Sequence, residues 1–371
     1  MMTSLVTSFF AFSCLFSISD GYKILVYNPR FAPSHVTYMG KIADTLADAG
    51  HDVVVYQPIL ERTVPKNGSG NPNIRFFFTK YEREEPGIPE LQTDFWQDDT
   101  VGKLITMSIE MRNLRKNHCD FVLEDQKNHE LLKKEKFDVA VLEIFEGCGF
   151  GVLEILGLKK YIVTHSGSMI PMINSYLGIP QSPSSVPSAV SSNTEKMSFL
   201  QRTGNFVTTL FEYSLLNYFM IDGPQQAVSE AMPGININQR IKDAAFLFVN
   251  SDEFIDFISP ITLKAVYIGA LGRITPSKPL EKKYLDIFDS AKRGVIYFSF
   301  GTVILSQGMP PHLRQIFLEA FSEFPDINFI WKYESESDNI AKDYKNVFTF
   351  PFLPQNDLLD HPKLLAFITH G

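Results

Sequence analysis

The apolar positions fall into short continuous runs separated by stretches of helical spacing. Tyr22 to Tyr27 (YKILVY) is a β-rich run, Asn28 to His35 reads as a loop, and Met39, Ile42, Ala43 and Leu46 follow at helical spacing until Gly50. Asp52 to Tyr56 (DVVVY) is the next strand, so residues 22 to 56 predict a βαβ unit and therefore a parallel sheet with helices on its faces. Residues 59 to about 104 are polar and dotted with aromatics, predicting loops and short helices. The alternation resumes with a buried strand from Val139 to Glu143, a short helix from Cys148 to Leu156 and a strand from Tyr161 to His165. Ile170 to Asn193 carries four prolines and many serines, which predicts a long loop over the sheet edge. Phe206 to Ile221 predicts a largely buried helix, and Ala245 to Asn250 and Val266 to Gly269 two further strands.

Residues 271 to 293 shift to proline and charge, the composition of an interdomain connection with a short helix. A second alternation follows: strand Val295 to Ser299, loop Phe300 to Pro311, a helix with Leu313, Ile316, Phe317, Ala320 and Phe324 on one face, then strands at Asn328 to Tyr333, Val347 to Phe350 and Leu365 to Thr369. The expected organisation is a leader at 1–19, an α/β domain at 20–272, a linker at 273–293 and part of a second α/β domain at 294–371. About 80 residues are too few for a finished domain of about 150.

The chain has 371 residues, 44% of them hydrophobic and 20% charged, enough apolar material for more than one core. A net charge of -8 repels phosphate polymers, so a nucleic-acid partner is not expected. Residues 1–19 lack charge and centre on the apolar run Phe9 to Phe16, which reads as a secretory signal peptide although its first residues carry no Lys or Arg. Beyond it remain Cys119 and Cys148, enough for one disulfide and not for a disulfide scaffold. Asn67-Gly68-Ser69 is an N-glycosylation acceptor, in keeping with a lumenal route. After residue 19 no run of eighteen uncharged apolar residues occurs, so no membrane span is expected.

Ligands of open parallel sheets sit at the carboxyl ends of strands, so the residues that directly follow strands are the candidates, facing a cleft between two such domains. His35 follows the first strand and has the pKa range of a general base for a hydroxyl. Glu143 ends the strand Val139 to Glu143, with Glu146 shortly after, and would orient or charge-stabilise such a base; His165, after another strand, competes with His35 for the role. The loop after the first strand lacks GxGxxG, which argues against a dinucleotide. In the second half, Ser299-Phe300-Gly301-Thr302 lets backbone N–H groups and hydroxyls approach phosphate oxygens, and His370 follows the last strand where an anion would sit. No Asp-x-Asp occurs and the histidines are scattered, so neither a metal nor another cofactor is expected.

The segment FPFLPQNDLLDHPKLLAFITHG, Phe350 to Gly371, closely resembles the donor-binding signature of the UDP-glycosyltransferases, in particular the animal UDP-glucuronosyltransferases, with a nematode-like cast. Ser34-His35, Cys148-Gly149, Asn250-Ser251, Tyr267-Ile268-Gly269 and SFGT at Ser299 to Thr302 extend the resemblance along the chain. It implies a GT-B architecture of two Rossmann-like domains, the second incomplete here: the first takes a small lipophilic acceptor, and the second takes a UDP-sugar as co-substrate. It further implies that glucuronate or glucose is transferred to a hydroxyl with inversion, His35 serving as base and Glu143 as its carboxylate partner, a position where many relatives carry Asp. Ser299 and Thr302 would contact the donor, Gln355 the uridine and His370 the diphosphate, while Phe352 would stack on uracil where the family often has Trp. The family continues past THGG with phosphate- and ribose-holding residues, an acidic-Gln pair and a membrane helix, and works at the endoplasmic reticulum in xenobiotic conjugation; homo-oligomers are possible by the same likeness. Without those residues, weak donor binding and negligible turnover are expected of these 371 residues alone. The alternative is an inactive lumenal relative that binds lipophiles or pairs with intact members.

Overall fold

The structure is a computed structural model that describes residues 21–61, 64, 67–80, 96, 101–189, 191–271, 278–302 and 304–369. They divide into two compact units, residues up to 80 with 108–271, and Trp96 and 101–107 with 278–369. The expected leader and His370 lie outside the described residues.

The first unit begins with β1 (Lys23–Tyr27), α1 (Pro33–Asp48), β2 (Asp52–Ile59) and β3 (Arg75–Lys80). Next come α2 (Val101–Leu123), which belongs to this unit from Ser108 onward, α3 (Gln126–Glu135), β4 (Val139–Glu143), α4 (Cys148–Leu156), β5 (Tyr161–His165) and α5 (Pro171–Tyr176). α6 (Phe199–Asn217) runs through a π-helical turn, Tyr218–Asp222, into α7 (Gly223–Ala231); α8 (Ile237–Asp243), β6 (Leu247–Val249) and β7 (Ala265–Tyr267) complete the unit. Its strands form one parallel sheet in the order β3-β2-β1-β4-β5-β6-β7. The central strands are continuous apolar runs because both of their faces are covered. Pro33 fixes the first turn of α1, and Met39, Ile42 and Ala43 of its inward stripe pack on Ile24, Val26, Val53, Val55 and Val141, each large side chain contributing about 1.5–3 kcal/mol on burial. At Gly149 an added Cβ would stand 2.7 Å from the Tyr27 ring, so glycine lets α4 close onto the sheet beside β1 and β4.

The second unit contains α9 (Lys282–Ser290), β8 (Gly294–Ser299), α10 (Pro311–Ser322), β9 (Ile327–Lys332), β10 (Val347–Phe350), α11 (Gln355–Leu359) and β11 (Leu364–Thr369). Its parallel sheet has the order β10-β9-β8-β11. Along β8 the side chains alternate: Val295 and Tyr297 join Tyr284, Ile287 and Phe288 of α9 on one face, and Phe298 joins Leu318 and Phe321 of α10 on the other. The short helix read into the connection at 271–293 is α9, whose inward stripe belongs to this core.

Several elements differ from the sequence reading. α1 starts at Pro33, so His35 lies in its first turn rather than in a loop. β3 and the start of α2 lie within the stretch read as irregular; the exposed and half-buried residues of β3 give it no clean apolar run. The Pro/Ser stretch opens with α5 before becoming loop. The helix expected to be largely buried is the greater part of α6, and its faces are reversed. Asn205, Thr209 and Glu212 are buried, while Phe206, Val207 and Leu210 are 53%, 60% and 56% exposed. The polar stripe is turned inward because it holds the Pro/Ser loop. Asn205 Nδ2 donates to the Pro183 and Val186 carbonyls at 2.8 and 2.9 Å, and Glu212 Oε2 accepts from Ser188 Oγ at 2.6 Å and from the Ala189 amide at 2.9 Å. Cys119 and Cys148 form a disulfide that ties α2 to the start of α4, their Cα atoms 5.2 Å apart. No helix among the described residues is long and apolar enough to cross a membrane.

Candidate active site

In the first sheet the chain moves outward from β1 through β2 to β3, then returns to lay β4 on the other side of β1. Helices covering the two halves diverge at such a reversal, leaving a crevice at the carboxyl ends of β1 and β4. Tyr27 is paired with Leu142 and Glu143 with Thr164, so the ends of β1, β4 and β5 lie side by side. His35 comes from the first turn after β1, Glu143 closes β4, and Ser166 follows β5. Topology alone brings the three together.

His35 Nδ1 lies 2.8 and 2.9 Å from the two Glu143 oxygens, and Ser166 Oγ is 3.2 Å from the same nitrogen. With Glu143 ionised, Nδ1–H is the donor and the lone pair resides on Nε2, the tautomer a general base requires. Burial alone would push the Glu143 carboxyl up, but His35 beside it and a hydrogen bond from Ser166 outweigh burial and leave it below its ordinary value. The imidazole is flanked by the rings of Phe31 at 4.7 Å and Phe145 at 4.8 Å. Its side chain is 16% exposed, against 2% for Glu143.

His165, the rival base in the sequence reading, is buried, and its Nδ1 has no hydrogen-bond partner among the described residues. Burial pushes its imidazole down to about 4, against the pull of Glu143, so it is neutral at pH 7. Glu146 is likewise buried; burial raises its carboxyl to about 6, with Arg115 opposing and Glu143 reinforcing the rise. It points to Arg115, whose Nη1 donates to Oε1 at 3.1 Å.

In the second sheet the corresponding reversal lies between β8 and β11, where Ser299 is paired with Thr369. Ser299 is buried and its Oγ accepts from the Gly301 amide at 3.2 Å; Gly301 holds φ 78°, a left-handed conformation suited to glycine, and turns the chain so that Thr302 is exposed. Gln355 opens α11 and is tied back to β8 through Tyr297, whose hydroxyl donates to Oε1 at 3.3 Å. Phe352 is 73% exposed. Ser299, Thr302 and Gln355 thus share the carboxyl end of one sheet with the end of β11.

Residues 22–371 match the sequence model of the UDP-glucoronosyl and UDP-glucosyl transferase family. The chain belongs to that family. One curated relative, "Putative UDP-glucuronosyltransferase ugt-48" of Caenorhabditis elegans, is 29% identical over 377 residues, covering 97% of this chain and 70% of the relative. Among solved structures, an Os79 variant of O. sativa in complex with UDP aligns with a TM-score of 0.57 at 15% identity, covering 94% of this chain and 76% of that one. Phytolacca americana UGT2, complexed with UDP-2fluoro-glucose and pterostilbene, aligns at 0.56 and 12%, with the same coverage. The two parallel-sheet, Rossmann-like units are the GT-B fold of these glycosyltransferases.

Sequence reasoning about this UDP-glycosyltransferase family member found His35, Glu143 and Glu146 by their places after strands. It missed Ser166, Phe31, Phe145 and Arg115. Ser166 stands directly after a predicted strand and carried the same positional signal as Glu143. Arg115 had none, since a cation in a polar helical stretch is normally solvated and this one is 4% exposed.

Proposed function

We propose that the chain transfers glucuronate or glucose from a UDP-sugar to a hydroxyl of a small lipophilic acceptor, with inversion and with His35 as general base. The observation that carries this reading is the two-oxygen grip of buried Glu143 on His35 Nδ1. His35 Nε2 takes the hydroxyl proton as the acceptor oxygen bonds to the anomeric carbon. The bond from that carbon to the diphosphate oxygen breaks, and UDP departs with the electron pair. Glu143 stays ionised and offsets the charge that grows on the imidazole. A single displacement inverts the anomeric centre.

Phe31 and Phe145 beside the base support a lipophilic acceptor. The name of ugt-48 supports glucuronate, and the donor analogue bound to UGT2 supports glucose. In this reading Ser299, Thr302 and Gln355, with Phe352 and His370, receive the donor. The Cys119–Cys148 disulfide supports an oxidising, lumenal compartment.

The test incubates the purified full-length protein with UDP-glucuronate or UDP-glucose and a panel of phenols and aliphatic alcohols, and reads products by mass spectrometry. Conjugates are expected with wild type, and His35→Ala is expected to lose on the order of 100-fold or more in rate while its UDP affinity is unchanged. Transfer by His35→Ala at the wild-type rate would remove His35 from the mechanism.

A further inference from the structure

Behind the dyad lies a second buried pair of opposite charge. Arg115 and Glu146 are each 4% exposed in their side chains. Arg115 Nη1 donates both to Glu146 Oε1 and to the Phe145 carbonyl, while the Glu146 amide donates to the Glu143 carbonyl at 3.1 Å. The guanidinium carbon is 5.7 Å from the Phe31 ring centroid and 5.2 Å from those of Phe145 and Phe219. Phe31 and Phe145 are the two rings that flank His35. A permanent cation and the imidazole therefore bind the same two aromatic side chains, and the cation also fastens the turn that leaves Glu143.

A buried ion pair is an expensive way to fill space, since apolar residues of similar volume do so with no desolvation cost. We infer that Arg115 and Glu146 are a positioning pair for the dyad, holding the Phe145 turn and its ring so that His35 keeps its orientation toward Glu143. The role in transfer rests on the reaction proposed above. The other titratable groups acting on this cluster are Glu143, His35, His118, His165 and the Tyr27 phenol.

The test compares Arg115→Met, Arg115→Lys, Glu146→Gln and the double variant Arg115→Met/Glu146→Gln in the full-length protein. The first readout needs no catalysis: the ring-proton resonances of His35, assigned with His35→Gln, are expected to move in Arg115→Met and Arg115→Lys, while those of His312 and His361 in the second unit stay in place. An unmoved His35 resonance in folded Arg115→Met overturns the inference. The second readout is transfer. Arg115→Met is expected to lose on the order of 10- to 100-fold in kcat with KM for the UDP-sugar unchanged, and an unchanged kcat overturns the inference.

Glu146→Gln leaves a lone cation beside the dyad, so the acidic limb of its rate profile is expected to move to lower pH and to return in the double variant. A limb that stays put in Glu146→Gln reduces the pair to scaffolding and overturns its role. Should Arg115→Met not fold, Arg115→Lys and Glu146→Gln carry the same comparison. A wild type that transfers no sugar, yet whose His35 resonance responds to Arg115, refutes the proposed reaction and retains the pair.

Discussion

Glu143 keeps its charge at the end of a buried strand because His35 and Ser166 supply what water would have supplied. That exchange has a pH signature. A carboxyl held below its ordinary value binds a proton less readily in the folded chain than in the unfolded one. Its stabilisation is therefore complete above the unfolded value of about 4.3 and is lost as pH falls through the folded value. Glu143→Gln is expected to lower the unfolding free energy by about 1–3 kcal/mol at pH 7 and by much less near pH 3. Denaturant midpoints at the two pH values check this, and an equal deficit at both would assign the loss to packing. Glu143→Asp draws the carboxylate back by one methylene from a grip that uses both oxygens. It is expected to lower kcat/KM by roughly 10-fold or more, read from initial rates.

At the level of elements, α6 reverses the ordinary cost of substitution. Glu212→Ala strips partners from Ser188 and the Ala189 amide and is expected to cost about 2–3 kcal/mol, whereas Phe206→Ser on the outward stripe is expected to change stability by about 0.5 kcal/mol or less. Urea unfolding of the two variants decides it. The disulfide joins residues separated by 29 positions, so Cys119→Ser/Cys148→Ser is expected to lower stability by about 3–4 kcal/mol, seen as a drop in Tm. The same link runs between α2, which carries Arg115, and the start of α4 just past Glu146. Its loss is therefore expected to slow transfer as well.

Across the whole molecule, what was legible in the sequence followed burial. β1, β2, β4, β5 and β8 stand out because strands covered on both faces are continuous apolar runs. The half-exposed β3 and the polar α2 and α3 carry no such signal. The candidate base and carboxylate, 108 positions apart, are paired in the sequence only through their places at strand ends and through the resemblance; the reversal between β1 and β4 that lays those ends side by side is a property of the sheet. The π-helical turn that brings Phe219 to Arg115 has no counterpart in spacing at all. On α6 the apolar composition of Phe206 to Ile221 predicts burial, whereas the structure turns Phe206, Val207 and Leu210 outward. That orientation changes how foldedness must be judged. A chain that displays Phe206, Val207 and Leu210 in its native state, with Phe254 and Ile258 exposed as well, offers a surface for hydrophobic dyes such as ANS, so bright dye fluorescence from a fresh preparation would report native apolar surface, this helix included, and not a molten core.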